Sequence, residues 1–194
     1  MADASSGWEA VADRFATLRS DVGTEVVLRW AAHLPPGGEI LDIGCGTGVP
    51  IGRALRAAGF ALFGVDPSPT MLAAYRRHVP DAITARQTAE DSDFFERRFD
   101  GIVAIGLVFL LSPGDQHRLL LRLGAALRPG GRFLFSAPRM ACAWNDSLTG
   151  RASQSLGEGE YARFLVEAGM RLVADYTDEG GNHYYHAVST AGQA

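Results

Sequence analysis

Residues 40–50 of this 194-residue chain, ILDIGCGTGVP, hold its densest set of groups suited to binding a ligand. Gly44, Gly46 and Gly48 fall close together behind an acid, Asp42. Glycines this dense let the backbone approach a ligand or adopt conformations that side chains resist. The apolar run 40–43 predicts a buried strand, and Pro50 suits the first turn of a helix. A strand, a glycine turn and a helix form half of a nucleotide-binding crossover, with free N–H groups facing a polar or anionic ligand. The spacing here is G-x-G-x-G. Val49 stands where a dinucleotide fingerprint needs Gly or Ala. Asp42 would also repel a pyrophosphate, whereas it suits a ligand with ammonium or sulfonium charge. An NAD(P)-dependent oxidoreductase is therefore the disfavoured reading.

A second acid narrows the ligand. Asp66 ends the next apolar run, about 20 residues beyond the glycines, where a carboxylate can accept hydrogen bonds from both ribose hydroxyls. The same position suits a helix start, because Ser68 can cap and Pro69 can open a helix. Together the glycine turn and Asp66 point to a ribonucleoside.

The elements that must position these groups alternate along the chain. Helical spacing covers residues 8–18 and 22–33, and Pro35, Pro36, Gly37 and Gly38 end the second helix. A strand over 39–43 and a helix over 50–58 follow, then a strand over 61–65 and a helix over 69–78. Strands over 82–86 and 99–105, a helix over 115–127 and a strand over 132–136 complete the alternation. It predicts a parallel sheet covered on both faces. Residues 139–156 read as a loop, 159–168 as a helix, and 171–176 and 183–189 as strands flanking a hairpin turn. No repeat or linker divides the chain, so one domain is expected over 1–194. Its N-terminal helices span 1–36, its ligand-binding core 37–137, and its remaining loop, helix and hairpin 138–194.

Bulk composition sets limits. Hydrophobic residues make up 47% of the chain, which excludes a disordered polymer. A formal charge of −4 argues against a nucleic-acid or anionic-membrane surface. Two cysteines, Cys45 and Cys142, make neither a disulfide framework nor a metal pattern. The longest apolar stretch, 101–111, is too short to span a bilayer, and the N-terminus lacks a secretory pattern. A cytoplasmic protein with no metal, membrane or nucleic-acid partner is expected.

Four segments, LDIGCGTG, GVDPSPTML, FDGIVAIG and LRPGGRFLF, occur in order between residues 40 and 137. Together they resemble the motifs of the class I S-adenosylmethionine-dependent methyltransferases. The resemblance implies an α/β fold, a three-layer Rossmann-like sandwich. Its seven-stranded, mostly parallel sheet would carry the last strand antiparallel between the fifth and sixth. The methyl donor, S-adenosylmethionine, would lie across the carboxyl ends of the first, second and fourth strands, and S-adenosylhomocysteine would be the product.

Carried onto this chain, the resemblance gives the methionine part of the donor to Gly44, Gly46 and Gly48. Asp42 would organise the turn and the donor's ammonium end. Asp66, with Pro67 beside it, would hold the ribose, and Met71 would lie against the adenine. The adenine-side loop is QTAEDSD. Many relatives have an aspartate where this chain has Thr88, so Ala89, Glu90 and Asp91 take the adenine role, with Glu90 or Asp91 accepting from its amine. Gly106 matches the place where the backbone passes the sulfonium. Cys45 counts with the turn, but its two glycine neighbours read it as a small packed side chain rather than a reactive thiol.

No N-P-P-Y or D-P-P-Y tetrapeptide follows the fourth strand, where AIGL stands, which disfavours a DNA amino-methyltransferase by the same resemblance. A small-molecule acceptor, methylated at N or O by a monomer or homodimer, is the expected function. A non-catalytic S-adenosylmethionine-binding protein is the alternative. Trp144, Asn182 and Tyr184 are the candidate acceptor contacts, and His183 the candidate group that orients or deprotonates the acceptor. Phe109, Leu110 and Leu111 read as wall and core, and Arg76, Arg77 and His78 as a solvated helix end. Trp8 and Phe15 share a helical face, for packing or for a lid over the donor.

Overall fold

The computed structural model describes residues 7–14 and 20–192. Nine strands and five α-helices organise them. The strands are β1 (Glu39–Ile43), β2 (Ala61–Val65), β3 (Ile83–Ala85), β4 (Phe99–Ala104), β5 (Leu127–Ser136), β6 (Cys142–Asn145), β7 (Ala152–Ser155), β8 (Met170–Thr177) and β9 (His183–Ser189). The helices are α1 (Thr24–Ala31), α2 (Ile51–Ala57), α3 (Pro69–His78), α4 (Pro113–Ala125) and α5 (Glu158–Glu167).

Seven strands form one sheet in the order β3-β2-β1-β4-β5-β9-β8. β9 runs antiparallel to both β5 and β8, and the pairs among β1 to β5 are parallel. This is the expected Rossmann-like sheet. Its central strands are apolar on both sides because both faces are buried. Leu41, Ile43, Phe133, Phe135 and Tyr185 join one core with Leu119 and Leu120 of α4 and Leu165 of α5. Ile40, Val103, Leu134 and Tyr184 join the other with Trp30 of α1, Leu55 of α2 and Tyr75 of α3. The strand order reverses at β1, which pairs with β2 on one side and β4 on the other. A crevice opens at the carboxyl ends on either side of such a reversal.

Four stretches depart from expectation. β5 begins at Leu127, opposite Phe99, rather than at Arg132, and the register shifts between Phe99 and Gly101. The Pro129-Gly130-Gly131 segment is thus an irregularity within the strand. A Cβ at Gly131 would lie 2.9 Å from the Arg128 carbonyl oxygen, so only glycine fits the fold-back. Residues 139–156 are not a plain loop, because β6 and β7 pair antiparallel as a separate hairpin. Asp146 closes its turn by accepting from the Leu148 and Thr149 N–H groups at 3.0 and 2.7 Å. At the N-terminus, Glu9–Val11 forms a 3-10 turn. Most of the rest of the expected 8–18 helix, with Phe15, falls among residues 15–19, outside the described residues. α1 starts only at Thr24, because Gly23 before it takes φ +84°.

No helix among the described residues is long and apolar enough to cross a membrane. Beneath α1 lies a buried polar group that the sheet must keep neutral. The His186 side chain, on β9, meets the Tyr176 hydroxyl at 2.9 Å through Nδ1 and Arg132 Nη1 at 3.1 Å through Nε2. The guanidinium can only donate, so Nε2 accepts and Nδ1 carries the proton. Burial, then Arg132 and His33, push its pKa down from 6.5 to about 4. The unfolded chain therefore binds the extra proton first. Stability should hold above pH 6.5 and fall as the pH drops from 6.5 towards about 4. Denaturation midpoints measured across that window should show one linked proton, and His186→Gln should flatten the slope.

Candidate functional site

The glycine turn rests on an aromatic ring of the protein itself. Tyr75 is fully buried beneath it. A Cβ at Gly48 would lie 2.9 Å from the ring, and one at Gly52 or Gly64 would lie 3.1 Å from it. The Tyr75 hydroxyl donates to Asp42 Oδ2 at 3.3 Å, which ties the turn's acid to the same ring. Gly44, Gly46 and Gly48 have φ values of +68°, +53° and +78°, a region that disfavours side chains. The Gly44 and Cys45 N–H groups both donate to the Val65 carbonyl, at 2.8 and 3.1 Å. Cys45 packs beneath the turn, its Sγ 3.0 Å from where a Gly64 Cβ would sit. Burial holds its thiol well above the ordinary value, which makes it a packing group.

Asp66 joins the two halves of the crevice. Its Oδ2 accepts from the Gly46 N–H at 3.0 Å and its Oδ1 from the Ser68 N–H at 2.9 Å. Each carboxylate oxygen keeps a second lone-pair site for a hydroxyl donor. Burial raises the Asp66 pKa, and the neighbouring Glu9 charge adds to that, against the two N–H donors. Glu9 itself reaches the start of α3, where Ser68 Oγ donates to it and Thr70 Oγ1 donates at 2.5 Å. The first described segment of the chain thus fastens at the start of α3, close to Asp66. Pro67 is half-buried, and its carbonyl accepts from Arg86 Nε at 3.3 Å. Met71 is buried within the first turn of α3.

The 88–92 loop is held by a residue that the sequence did not single out. Arg122 of α4 donates to the carbonyls of Ala89 (3.2 Å), Glu90 (2.5 Å) and Ser92, and its guanidinium lies 4.6 Å over the Phe94 ring. Phe94, Phe95 and Glu96 all take positive φ, a costly run in non-glycine residues that these contacts must stabilise. Ala89 is buried and Glu90 and Asp91 are exposed. The Asp91 carboxylate accepts from Thr88 Oγ1 at 3.0 Å, so Thr88 shapes the turn that presents both acids.

Beyond β4, Gly106 has φ +75°, and a Cβ there would meet nothing within 4 Å. Its N–H donates to Ser136 Oγ at 2.8 Å. The open space beside this backbone is the cradle that a ligand would fill. Leu107 closes the near side, 3.2 Å from where a Gly44 Cβ would lie. Phe109 meets Trp144 of the β6–β7 hairpin, with ring centroids 5.2 Å apart.

The β8–β9 turn sends its polar groups to two different faces. Asp178 accepts from the Asn182 amide nitrogen at 2.9 Å and from the Tyr184 hydroxyl at 2.7 Å. Burial opposes ionisation of Asp178, yet these hydrogen bonds outweigh it and lower its pKa. Tyr184 is buried on the α1 face, its hydroxyl against Gly23, and Asn182 is exposed at the turn. His183 lies on the opposite face, edge-on to Tyr185 with centroids 4.6 Å apart. Its Nδ1 is 4.0 Å from Asp175, and its Nε2 is buried without a hydrogen-bond partner. Burial lowers its pKa, and nearby Arg139 works the same way, with Asp175 and Glu158 opposing.

Asp42 and the glycine turn, Asp66 and Met71, the 88–92 loop and Gly106 lie at or follow the carboxyl ends of β1, β2, β3 and β4, while Trp144 stands on β6 and His183 and Tyr184 on β9. Residues 40–131 match the profile of a methyltransferase domain family. That segment is similar to a methyltransferase domain, and the chain shares the fold of solved methyltransferases. The chain is 32% identical over 109 residues to carboxy-S-adenosyl-L-methionine synthase from Yersinia enterocolitica, an alignment covering 52% of this chain and 41% of that protein. The chain thus spans about two fifths of that relative's length. Its fold is shared with the CcbJ methyltransferase from Streptomyces caelestis, at a TM-score of 0.79 and 18% identity over 98% of this chain and 100% of that one. It is also shared with the Burkholderia thailandensis 1,6-didemethyltoxoflavin-N1-methyltransferase holding S-adenosylhomocysteine, at a TM-score of 0.75 and 22% identity over 94% and 84% of the two chains.

Nothing in the sequence pointed to Glu9, Tyr75, Leu107 or Arg122, and Phe109 showed there only as wall and core. All act through tertiary contacts, which have no local spacing to betray them. Asp66 has a structural duty beside any ligand role. Asp66→Ala leaves two N–H groups without their acceptor, at a cost of about 1–3 kcal/mol for a buried group so stranded. We expect it to lower unfolding stability as well as donor affinity. Asp66→Asn keeps one acceptor oxygen and should lose less stability. Because the folded pKa is raised above 3.8, ionising Asp66 costs stability as the pH rises through that window. Donor affinity has the opposite sign, since protonation removes an acceptor, and it should fall as the pH drops towards the raised value. Denaturant titration and calorimetry on the same variants separate the two effects.

Proposed function

We propose that this chain transfers a methyl group from S-adenosylmethionine to an N or O atom of a small molecule. The observation that carries the reading is the open backbone cradle at Gly106, flanked by the Asp66-braced glycine turn on one side and the Phe109–Trp144 wall on the other. The residues present fit the donor. Asp66 would accept from the ribose hydroxyls, Met71 would border the adenine, and Glu90 or Asp91 would accept from its amine. Asp42 and the glycine turn would face the methionine end. The bound donor supplies a methyl group on an activated sulfonium leaving group.

What remains for the protein is alignment and exclusion of water, and orientation alone contributes several kcal/mol to such reactions. Leu107 and Phe109 would form the apolar wall beside the reacting atoms. His183, at the carboxyl-end rim where β9 starts, is assigned to orient or deprotonate the acceptor. Its lowered pKa keeps the ring neutral and able to take a proton at pH 7. The carboxy-S-adenosyl-L-methionine synthase relationship favours one other reading, in which the donor itself is modified.

S-adenosylmethionine and S-adenosylhomocysteine should each bind and raise the melting temperature, by about 2.7 kcal/mol of added stability at a hundred times Kd, and NADH should do neither. Mass spectrometry of the donor pool after incubation with small amines, phenols and carboxylates decides the chemistry. S-adenosylhomocysteine formation supports transfer, a carboxylated donor supports the second reading, and an unchanged donor leaves a binding protein. His183→Ala should lower turnover with donor affinity unchanged. The acid limb of the pH–rate profile should lie below the ordinary histidine value of 6.5. Wild-type turnover and profile in that variant would reduce His183 to a hinge residue.

A further inference from the structure

The β6–β7 hairpin and the segment entering α4 enclose a cleft of about 570 Å³, with Leu110, Leu111, Pro113, Trp144, Ala152 and Ser153 in its walls. That size falls within the roughly 300–1,000 Å³ of small-molecule sites. We propose that this cleft is the acceptor's subsite and that it takes an uncharged aromatic ring. The inference rests on the methyl-transfer reading and gives that reading a substrate class.

Two observations select the occupant. First, the described lining contains no ionisable side chain. A cation would shed water here with no carboxylate to meet it, whereas a neutral ring loses little. Second, the Trp144 indole, backed by Phe109 at a centroid distance of 5.2 Å, gives a flat ring an aromatic surface to pack on.

The cleft is also built in advance. Gln116 of α4, fully buried, donates from Nε2 to the Leu111 and Gln154 carbonyls at 3.0 Å each, and its Oε1 accepts from the Tyr161 hydroxyl at 2.9 Å. One amide thus fixes the hairpin to the wall across from it. Ligand binding does not have to order either side.

The test titrates quinoline, 7-hydroxyquinoline and N-methylquinolinium into the protein, with and without S-adenosylhomocysteine, followed by tryptophan fluorescence. The neutral rings should bind with Kd on the order of 1 mM or below. Ala152→Arg, at an exposed wall position, and Trp144→Ala should each weaken both by about tenfold. Tighter binding of N-methylquinolinium overturns the proposal. So does the absence of neutral-ring binding, or binding indifferent to Ala152→Arg and Trp144→Ala, in protein that binds S-adenosylhomocysteine. Failure of S-adenosylhomocysteine to bind the wild type instead removes the methyl-transfer reading, and the acceptor assignment with it.

Discussion

The Tyr75 ring sets the geometry on which the donor crevice depends. It fills the space beneath the glycine turn so closely that Gly48, Gly52 and Gly64 all border it, and its hydroxyl holds Asp42. The density of glycines in residues 44–52 is therefore only partly about a ligand. Gly48 is required by an internal aromatic and by its own positive φ, and Gly44 is bordered by Leu107. The backbone that stays open lies at Gly106, across the crevice. Interiors are packed densely enough that a shift of the ring would be transmitted to the turn, to Asp42 and to β2 together.

Charge is handled with the same economy. Asp66 is a buried carboxylate whose two oxygens each take one backbone N–H, from loops that follow different strands. Nearby, Glu9 brings a second negative charge, and the Ser68 and Thr70 hydroxyls keep it ionised by lowering its pKa. Burial, with a smaller addition from the Glu9 charge, raises the Asp66 pKa, whereas the hydroxyl hydrogen bonds lower that of Glu9. The N-terminal segment thus bears on Asp66 through the charge of Glu9, which is held at the start of α3.

The fold was legible in the sequence where burial is continuous and local. The apolar runs of β1, β2 and β4 and the Ser68-Pro69 helix start appear within a residue or two of their expected places. Legibility failed where tertiary contacts override local signals. The Pro129-Gly130-Gly131 segment carries a loop signature, yet parallel pairing with β4 draws it into β5 as an irregularity. β6 and β7 lack β-branched alternation, and their turn is closed by the Asp146 side chain rather than by an Asn-Gly pair. In the site, the acids and glycines could be named because the resemblance fixes their spacing. Arg122 could not, because a single arginine on an amphipathic helix gives no hint that it gathers three carbonyls some thirty residues away.

The same reasoning explains why the donor side of this chain is easier to read than the acceptor side. Donor recognition is built from consecutive backbone at strand ends, where sequence order and spatial order nearly coincide. The acceptor side depends on Gln116, a polar residue that reads as the solvent face of α4 but is fully buried. Its amide bonds the segment before α4 and the hairpin beyond β5, 38 residues away, while Tyr161 of α5 donates to its oxygen. Every polar atom of that amide side chain that forms a bond does so with a different element, so no shorter side chain could replace it. A buried amide with both ends engaged specifies geometry more strictly than apolar packing does, because leaving either end unpaired is costly. Residues 139–156 hold their place on the sheet through such long-range polar contacts, and their order in the sequence shows only a loop.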